Sequence, residues 1–388
     1  MIGTHPFSLL LNPRHGVPGV IVLPAAGFRR AKAAISSWPG YAPTPLHELP
    51  AIAAAADVAA LRIKDESSRF GLGSFKALGG AYAVATLLSG ELSRRGVAMS
   101  ASAEALAEGR YRDATDSVTV TCATDGNHGR SVARGAQRFH CRCVIFVHRT
   151  VSKGRVDAIA AFGAEVIRVP GTYDDAVREA DRRARAEGWL VISDTSYPGY
   201  TEVPRTIMQG YRLMADEVAD QWSGPPPTHV FIQAGVGGAA AAVSVQIRAR
   251  FGTAPLLVVA EPDKAGCLFA SAGAGALTAV GGNLDTIMAG LACGEPSLLA
   301  WQELERAAFA FMTIPDAAAI DTMRLLAGAG LSIGESGVAG LAALLLAAHD
   351  PAARAKLRLD AAGRVLCFAT EGVTDPALYQ NLLGSHQH

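Results

Sequence analysis

Three short stretches of the 388-residue chain carry residue types that can do chemistry. The first is Ser68-Arg69-Phe70-Gly71-Leu72-Gly73-Ser74-Phe75-Lys76-Ala77-Leu78-Gly79-Gly80-Ala81. It reads as a glycine-containing loop running into a helix, with a lysine in the first turn. Phe75, Ala77 and Leu78 surround the amine with apolar neighbours. Desolvation and a helix N-terminus both disfavour an ammonium there. A neutral amine can attack an aldehyde and form a Schiff base. The position equally suits a lysine whose stem lies on apolar surface and whose head reaches water. The second stretch is Thr124-Asp125-Gly126-Asn127-His128-Gly129, between a predicted strand and a predicted helix. Its backbone N–H groups can bind an anion such as a carboxylate. Asn127 can donate to a phenolic oxygen or a carboxylate. Asp, Gly and Asn are also common in plain strand–helix turns. The third stretch is Gln233-Ala234-Gly235-Val236-Gly237-Gly238-Ala239. Its glycines let backbone approach a phosphate at a helix N-terminus. It is neither a nucleotide P-loop nor a dinucleotide fingerprint, since Ala240 stands where the latter has its last glycine.

These loops need elements to hold them. Short apolar runs bounded by Gly, Pro or Asp predict strands at 118–124, 143–148, 165–170, 190–193, 229–235, 256–261 and 365–370. Helices are predicted at 75–95, 127–139, 152–162, 173–187, 203–221, 238–251 and 336–349, with Ser152 as an N-cap. The alternation predicts an α/β fold, a mainly parallel sheet with helices on both faces. Residues 96–117 read as a connection. Ser223-Gly224-Pro225-Pro226-Pro227 reads as a rigid surface turn.

Composition narrows the classes. Half the residues are apolar and 18% are charged, with 35 basic residues against 35 acidic ones. That excludes a disordered chain and argues against a nucleic-acid or anionic-membrane partner. The length suits two domains. The apolar stretch 325–348 holds Glu335 near its middle, too costly for a plain spanning helix. The first residues show no charged-then-apolar signal pattern, so the expected place is the cytoplasm. Of the 35 basic residues only Lys32, Lys64, Lys76, Lys153, Lys264 and Lys356 are lysines. In so arginine-rich a chain each lysine merits a reading. His140, Cys141, Cys143 and His148 fit no common zinc spacing, so no metal is expected. Cys267 and Cys293 bracket a Gly/Ala-rich segment, and in a reducing compartment both are expected as free thiols.

Together and in this order, the three motifs resemble the fold-type II enzymes of pyridoxal 5′-phosphate, the family of threonine dehydratase, tryptophan synthase β chain and cysteine synthase. The resemblance spans most of the chain. It implies a large, twisted, mainly parallel sheet domain over 1–89 and 196–388, with a smaller α/β domain over 90–195 inserted. The cofactor is expected in the cleft between them, and a homodimer is expected because members commonly form one. By the same resemblance Lys76 is the Schiff-base lysine, with Phe75 beside it. Gly126, Asn127 and His128 face the ring oxygen and the substrate carboxylate, and Gly235, Val236, Gly237 and Gly238 cup the phosphate. Thr370 meets the pyridine nitrogen. Its hydroxyl leaves that nitrogen largely unprotonated, which suits β-elimination. Glu335 lies near the cofactor.

Two departures inform more than the matches. Hydroxy-amino-acid dehydratases usually carry an Arg two residues after the lysine, where this chain has Leu78, and a small residue where it has Asp125. A carboxylate beside a carboxylate-binding loop makes sense if the substrate also brings a cation. With Asp194 and Gly199-Tyr200, the pattern looks like the diaminopropionate ammonia-lyases. The resemblance then implies elimination of 2,3-diaminopropionate to pyruvate and two ammonia, from both enantiomers. Lys76 is the candidate base on one face of the substrate. Asp125 and Asp194 are candidates on the other face and for binding the β-ammonium. Two other readings stand beside this one. A serine or threonine dehydratase of the same fold is opposed by Leu78 and Asp125. A non-catalytic metabolite-binding protein is opposed by an intact Lys76 with all three loops.

Overall fold

In chain order the strands are β1 Ser8–Leu11, β2 Leu46–Glu48, β3 Ala60–Asp65, β4 Thr119–Ala123, β5 Arg142–His148, β6 Glu165–Val169, β7 Leu190–Val191, β8 His229–Gln233, β9 Leu256–Pro262, β10 Ala308–Ile314 and β11 Arg364–Ala369. They belong to a computed structural model that describes residues 4–124, 126–171 and 173–384, so Asp125 lies outside the described residues. One sheet has seven strands in the order β1-β10-β9-β8-β11-β3-β2, and the other has four in the order β6-β5-β4-β7. The four-stranded sheet is parallel throughout. The seven-stranded sheet is parallel in its centre, and only its edge strands β1 and β2 pair antiparallel. The central strands β8 and β9 are covered on both faces, which is why they read as continuous apolar runs.

Helix Ala339–His349 is buried all round and packs in the core cluster with Phe231, Val258 and Cys367. It accounts for part of the apolar stretch 325–348, which the structure divides between this helix and helix Asp316–Gly328. Glu335 sits in the turn between them. Among the described residues no helix is long and apolar enough to cross a membrane.

The chain forms two compact units. One comprises Met1–Pro24, Pro43–Phe75 and Arg212–His388, and the other Ala25–Ala42 and Lys76–Tyr211. The first contains the seven-stranded sheet and the second the four-stranded sheet. The expected boundaries at 89/90 and 195/196 both fall inside the second unit.

Local structure departs from expectation at several points. The single helix expected over 75–95 is a 3₁₀ turn, Phe75–Leu78, followed by helix Gly80–Arg94. A Cβ on Gly79 would lie 2.5 Å from Tyr211 Cε1, and one on Gly210 would lie 2.1 Å from the Leu78 carbonyl oxygen. The backbone here is pressed onto its neighbours so closely that only glycine fits. The expected connection over 96–117 contains helices Ala103–Ala107, capped by Ser102, and Arg112–Thr115. The helix expected from 336 starts at Ala339. The Ser152 cap is present: its hydroxyl accepts from the Arg155 amide at 3.3 Å. Strands β1, β2, β3 and β10 lie outside the predicted set. In β3 the apolar run is interrupted by Arg62 and Lys64, and β10 follows helix Leu298–Ala307 with no Gly or Pro between.

Candidate active site

Several expected site residues lie just past the carboxyl end of a parallel strand. That is where open α/β sheets place their ligands, because the strand ends feed loops and helix N-termini. Asn127 follows β4, Asp194 follows β7, Gly235 follows β8 and Thr370 follows β11.

In the second unit the Asp194 carboxylate accepts from the Lys76 amine. Burial pushes the Asp194 carboxyl up, but the Lys76 ammonium outweighs it and holds the group well below the usual carboxylate range. This corrects the expected environment of Lys76. Its side chain is 21% exposed and faces a carboxylate, not only apolar neighbours. The lysine and its partner are 118 residues apart in sequence, so no local pattern reveals the pair. The Asp194 loop is closed by Tyr200, whose hydroxyl donates to Val191 O at 2.9 Å and accepts from the Ser193 amide at 3.0 Å.

The Asn127 loop is ordered from within. Thr124 Oγ1 accepts from the Gly126 and Gly129 amides at 3.0 and 3.1 Å. Gly129 is required there, since a Cβ would come within 2.4 Å of Thr124 Cγ2. Asn127 then opens helix Asn127–Arg138. His128 is turned inward: its Nε2 donates to Ile192 O at 2.8 Å, and its Nδ1 lies 3.9 Å from Asp194 Oδ2. Tyr211, buried, places its ring 5.7 Å from the Lys76 amine. Sequence reasoning missed this tyrosine, which stands mid-helix with no surrounding motif.

In the first unit, Gly235 to Gly238 form a bare-backbone turn between β8 and helix Gly238–Phe251. Gly237 has φ +95°, and the Ser297 amide holds the turn by donating to Val236 O at 2.9 Å. The first amides of the helix have no intrahelical acceptor. A glycine-rich turn at a helix N-terminus fits a phosphate group. Gly237→Ala should cost about 1–2 kcal/mol of left-handed strain. The new Cβ would also press on Ala300 Cβ at 3.0 Å. Thermal denaturation and titration with phosphate-bearing ligand should show both a lower midpoint and weaker binding.

Gln233 Nε2 lies 2.6 Å from Thr370 Oγ1, 2.9 Å from Phe368 O and 3.0 Å from Gly337 O, and shares its two protons among these three acceptors. Sequence reasoning quoted Gln233 without a role, although a polar residue closing an apolar strand is a signal. Phe75 and Thr370 are tied together, since the Phe75 amide donates to Thr370 O at 3.0 Å. The pairing continues as the Gly372 amide donates to Gly73 O at 2.9 Å. Glu335 is buried beside Ser336, whose amide donates to Glu371 Oε1 at 3.2 Å.

The other candidates separate. His140 Nε2 donates to Ala107 O, Cys143 lies within β5, and His148 Nδ1 bonds Thr150 Oγ1. Among the described residues no three His, Cys, Asp or Glu side chains form a group that could hold a metal. Cys267 and Cys293 are free thiols, and Cys267 Sγ donates to Gly235 O at 3.6 Å.

Comparison with known proteins shows the family. The family model described as pyridoxal-phosphate dependent enzyme matches residues 37–371. The chain is 40% identical over 361 residues to the diaminopropionate ammonia-lyase of Escherichia coli K12, covering 90% of this chain and 89% of that one. It is similar to the crystal structure of the Escherichia coli diaminopropionate ammonia lyase in complex with D-serine, with a TM-score of 0.91 at 35% identity, covering 100% and 99% of the two chains. The structure of that lyase with an aminoacrylate-PLP azomethine reaction intermediate gives a TM-score of 0.89 at 34% identity, again covering 100% and 99%.

Proposed function

Because the chain belongs to the family of pyridoxal-phosphate dependent enzymes, of fold type II, we propose that it eliminates ammonia from 2,3-diaminopropionate, giving pyruvate and two ammonia from both enantiomers. The observation that carries the reading is the Lys76–Asp194 pair, an amine and an ionised carboxylate held together. A carboxylate in that place suits a substrate with a cationic side chain.

When bound, pyridoxal phosphate supplies an electron sink for the pair left as the Cα proton departs. Lys76, Phe75, Asn127, Gly235, Val236, Gly237, Gly238, Glu335 and Thr370 would hold it. The Gly126, Asn127 and His128 backbone, at the start of a 12-residue helix, would bind the substrate carboxylate. Lys76 is the base on one face of the substrate. Asp194, and Asp125 from outside the described residues, are the bases on the other and the partners of the β-ammonium. The β-amine leaves as ammonia, and the enamine product takes up water to give pyruvate and the second ammonia. The enzyme acts as a homodimer in the cytoplasm. Family likeness supports the dimer, and light scattering of the pure protein tests it.

Asp194→Asn and Asp125→Asn should each lower turnover of one enantiomer by roughly 10²–10⁴-fold and of the other much less. Pyruvate release from D- and L-diaminopropionate, with serine as the competing substrate, measures this. Full activity of both variants on both enantiomers removes the carboxylates from the reaction. Faster release from serine moves the chain to the hydroxy-amino-acid dehydratases.

A further inference from the structure

The geometry points to His128 as the group that takes the proton onward from Asp194. This rests on the role of Asp194 given above. The His128 ring is buried, with 6% of its surface exposed, and its two nitrogens have different surroundings. Nε2 donates to Ile192 O at 2.8 Å, and a carbonyl can only accept, so Nε2 carries a proton. In the neutral ring Nδ1 is then the lone-pair nitrogen. Nδ1 is buried with no hydrogen-bond partner, and it faces Asp194 Oδ2 at 3.9 Å. A buried acceptor without a donor is costly. The group it faces acquires a proton only during the reaction. Burial also lowers the pKa of the ring and keeps it neutral until then.

The step balances. The Cα–H bond breaks, its electron pair stays with the substrate, and the proton joins an Asp194 oxygen. The Asp194 O–H bond then breaks and Nδ1–H forms. The carboxylate is restored, and the ring becomes an imidazolium donating to Asp194 and to Ile192 O. A shift of about 1 Å brings Nδ1 and Oδ2 into hydrogen-bond range. The proton leaves to solvent after product release, and no electron passes to a third group.

The charged groups acting on the ring are Asp194 and Lys76. Cys122 on β4, Tyr200 and Tyr211 share the field of Asp194, and burial pushes all three up, so they stay neutral. Asp125, three residues earlier in the chain, lies outside the described residues.

His128 acts through Asp194 and is therefore a positioning residue that also holds a proton. His128→Gln preserves a donor for Ile192 O and removes the nitrogen that accepts a proton. In the holoenzyme kcat should fall roughly 10- to 100-fold for the enantiomer that Asp194→Asn impairs, with KM and cofactor absorbance unchanged. The acid limb of the kcat profile, which reports a ring that must be neutral to accept, should disappear. Unchanged kcat and an unchanged acid limb in cofactor-loaded protein overturn the relay. Long-range ¹H–¹⁵N correlation on the unmutated holoenzyme is independent of how the variant folds. A neutral ring protonated at Nε2 supports the relay, and one protonated at Nδ1 overturns it. If Asp194→Asn leaves both enantiomers unaffected, the reading of Asp194 fails and the relay with it. If Asp194→Asn is slow and His128→Gln is not, only the relay fails.

Discussion

Lys76→Arg is expected to abolish measurable turnover, a fall of roughly 10³-fold or more, while the protein remains folded. The substitution keeps a cation beside the Asp194 carboxylate, so the ion pair survives. It removes the one property that the chemistry requires. A guanidinium does not lose its proton at any working pH and does not condense with an aldehyde. Borohydride treatment followed by peptide mass analysis should place the cofactor mass on the Lys76 peptide in the unmutated protein and on no peptide in the variant. Thermal denaturation should differ little. Retained turnover in Lys76→Arg would remove the lysine from the reaction.

The second large effect concerns stability. Glu217→Gln is expected to cost about 3–5 kcal/mol. Arg69 is 1% exposed and donates from Nη1 and Nη2 to the two oxygens of Glu217 at 2.8 and 2.7 Å, and from Nε and Nη2 to those of Glu66, each at 2.8 Å. Lys64, fully buried, pairs with Glu217 Oε2 at 2.7 Å. Two cations thus share two carboxylates out of water. Neutralising one carboxylate leaves a buried cation without its countercharge. The cluster also secures the loop that leads to Lys76, where Phe70 sits at φ +51°, a region a side chain rarely occupies. The variant should therefore lose cofactor affinity as well as denaturant resistance. The exposed pair Lys153–Asp157 provides the contrast, with side chains 85% and 59% exposed. Lys153→Ala should change stability by less than about 1 kcal/mol. A loss below that level in Glu217→Gln would show that the cluster relaxes without Glu217.

The three loops were legible before any coordinates because each is local. Glycines that permit a bare backbone turn, the Thr124 hydroxyl that ties Gly126 and Gly129, and the apolar runs of β4, β5, β8, β9 and β11 all act between residues close in the chain. Strand β3 escaped because Arg62 and Lys64 break its apolar pattern. Lys64 is tolerated there only because Glu217, from a distant helix, neutralises it. The helix expected from Phe75 fails as well. The helix begins only at Gly80, beyond the Gly79-Gly80 pair that weakens it, and Gly79 is packed closely against Tyr211.

Type and order of the candidate groups are read from the chain: a lysine in an arginine-rich sequence, an Asn-His turn and a run of glycines, each set by the backbone preferences of its neighbours. The electrostatic state of those groups does not follow from the chain. Asp194 lies against Lys76 across 118 residues, and the Nδ1 of His128 faces that same carboxylate because Ile192 O holds the other ring nitrogen. Backbone geometry is decided by adjacent residues, whereas the charge on a buried group is decided by whatever folding brings within a few ångströms of it.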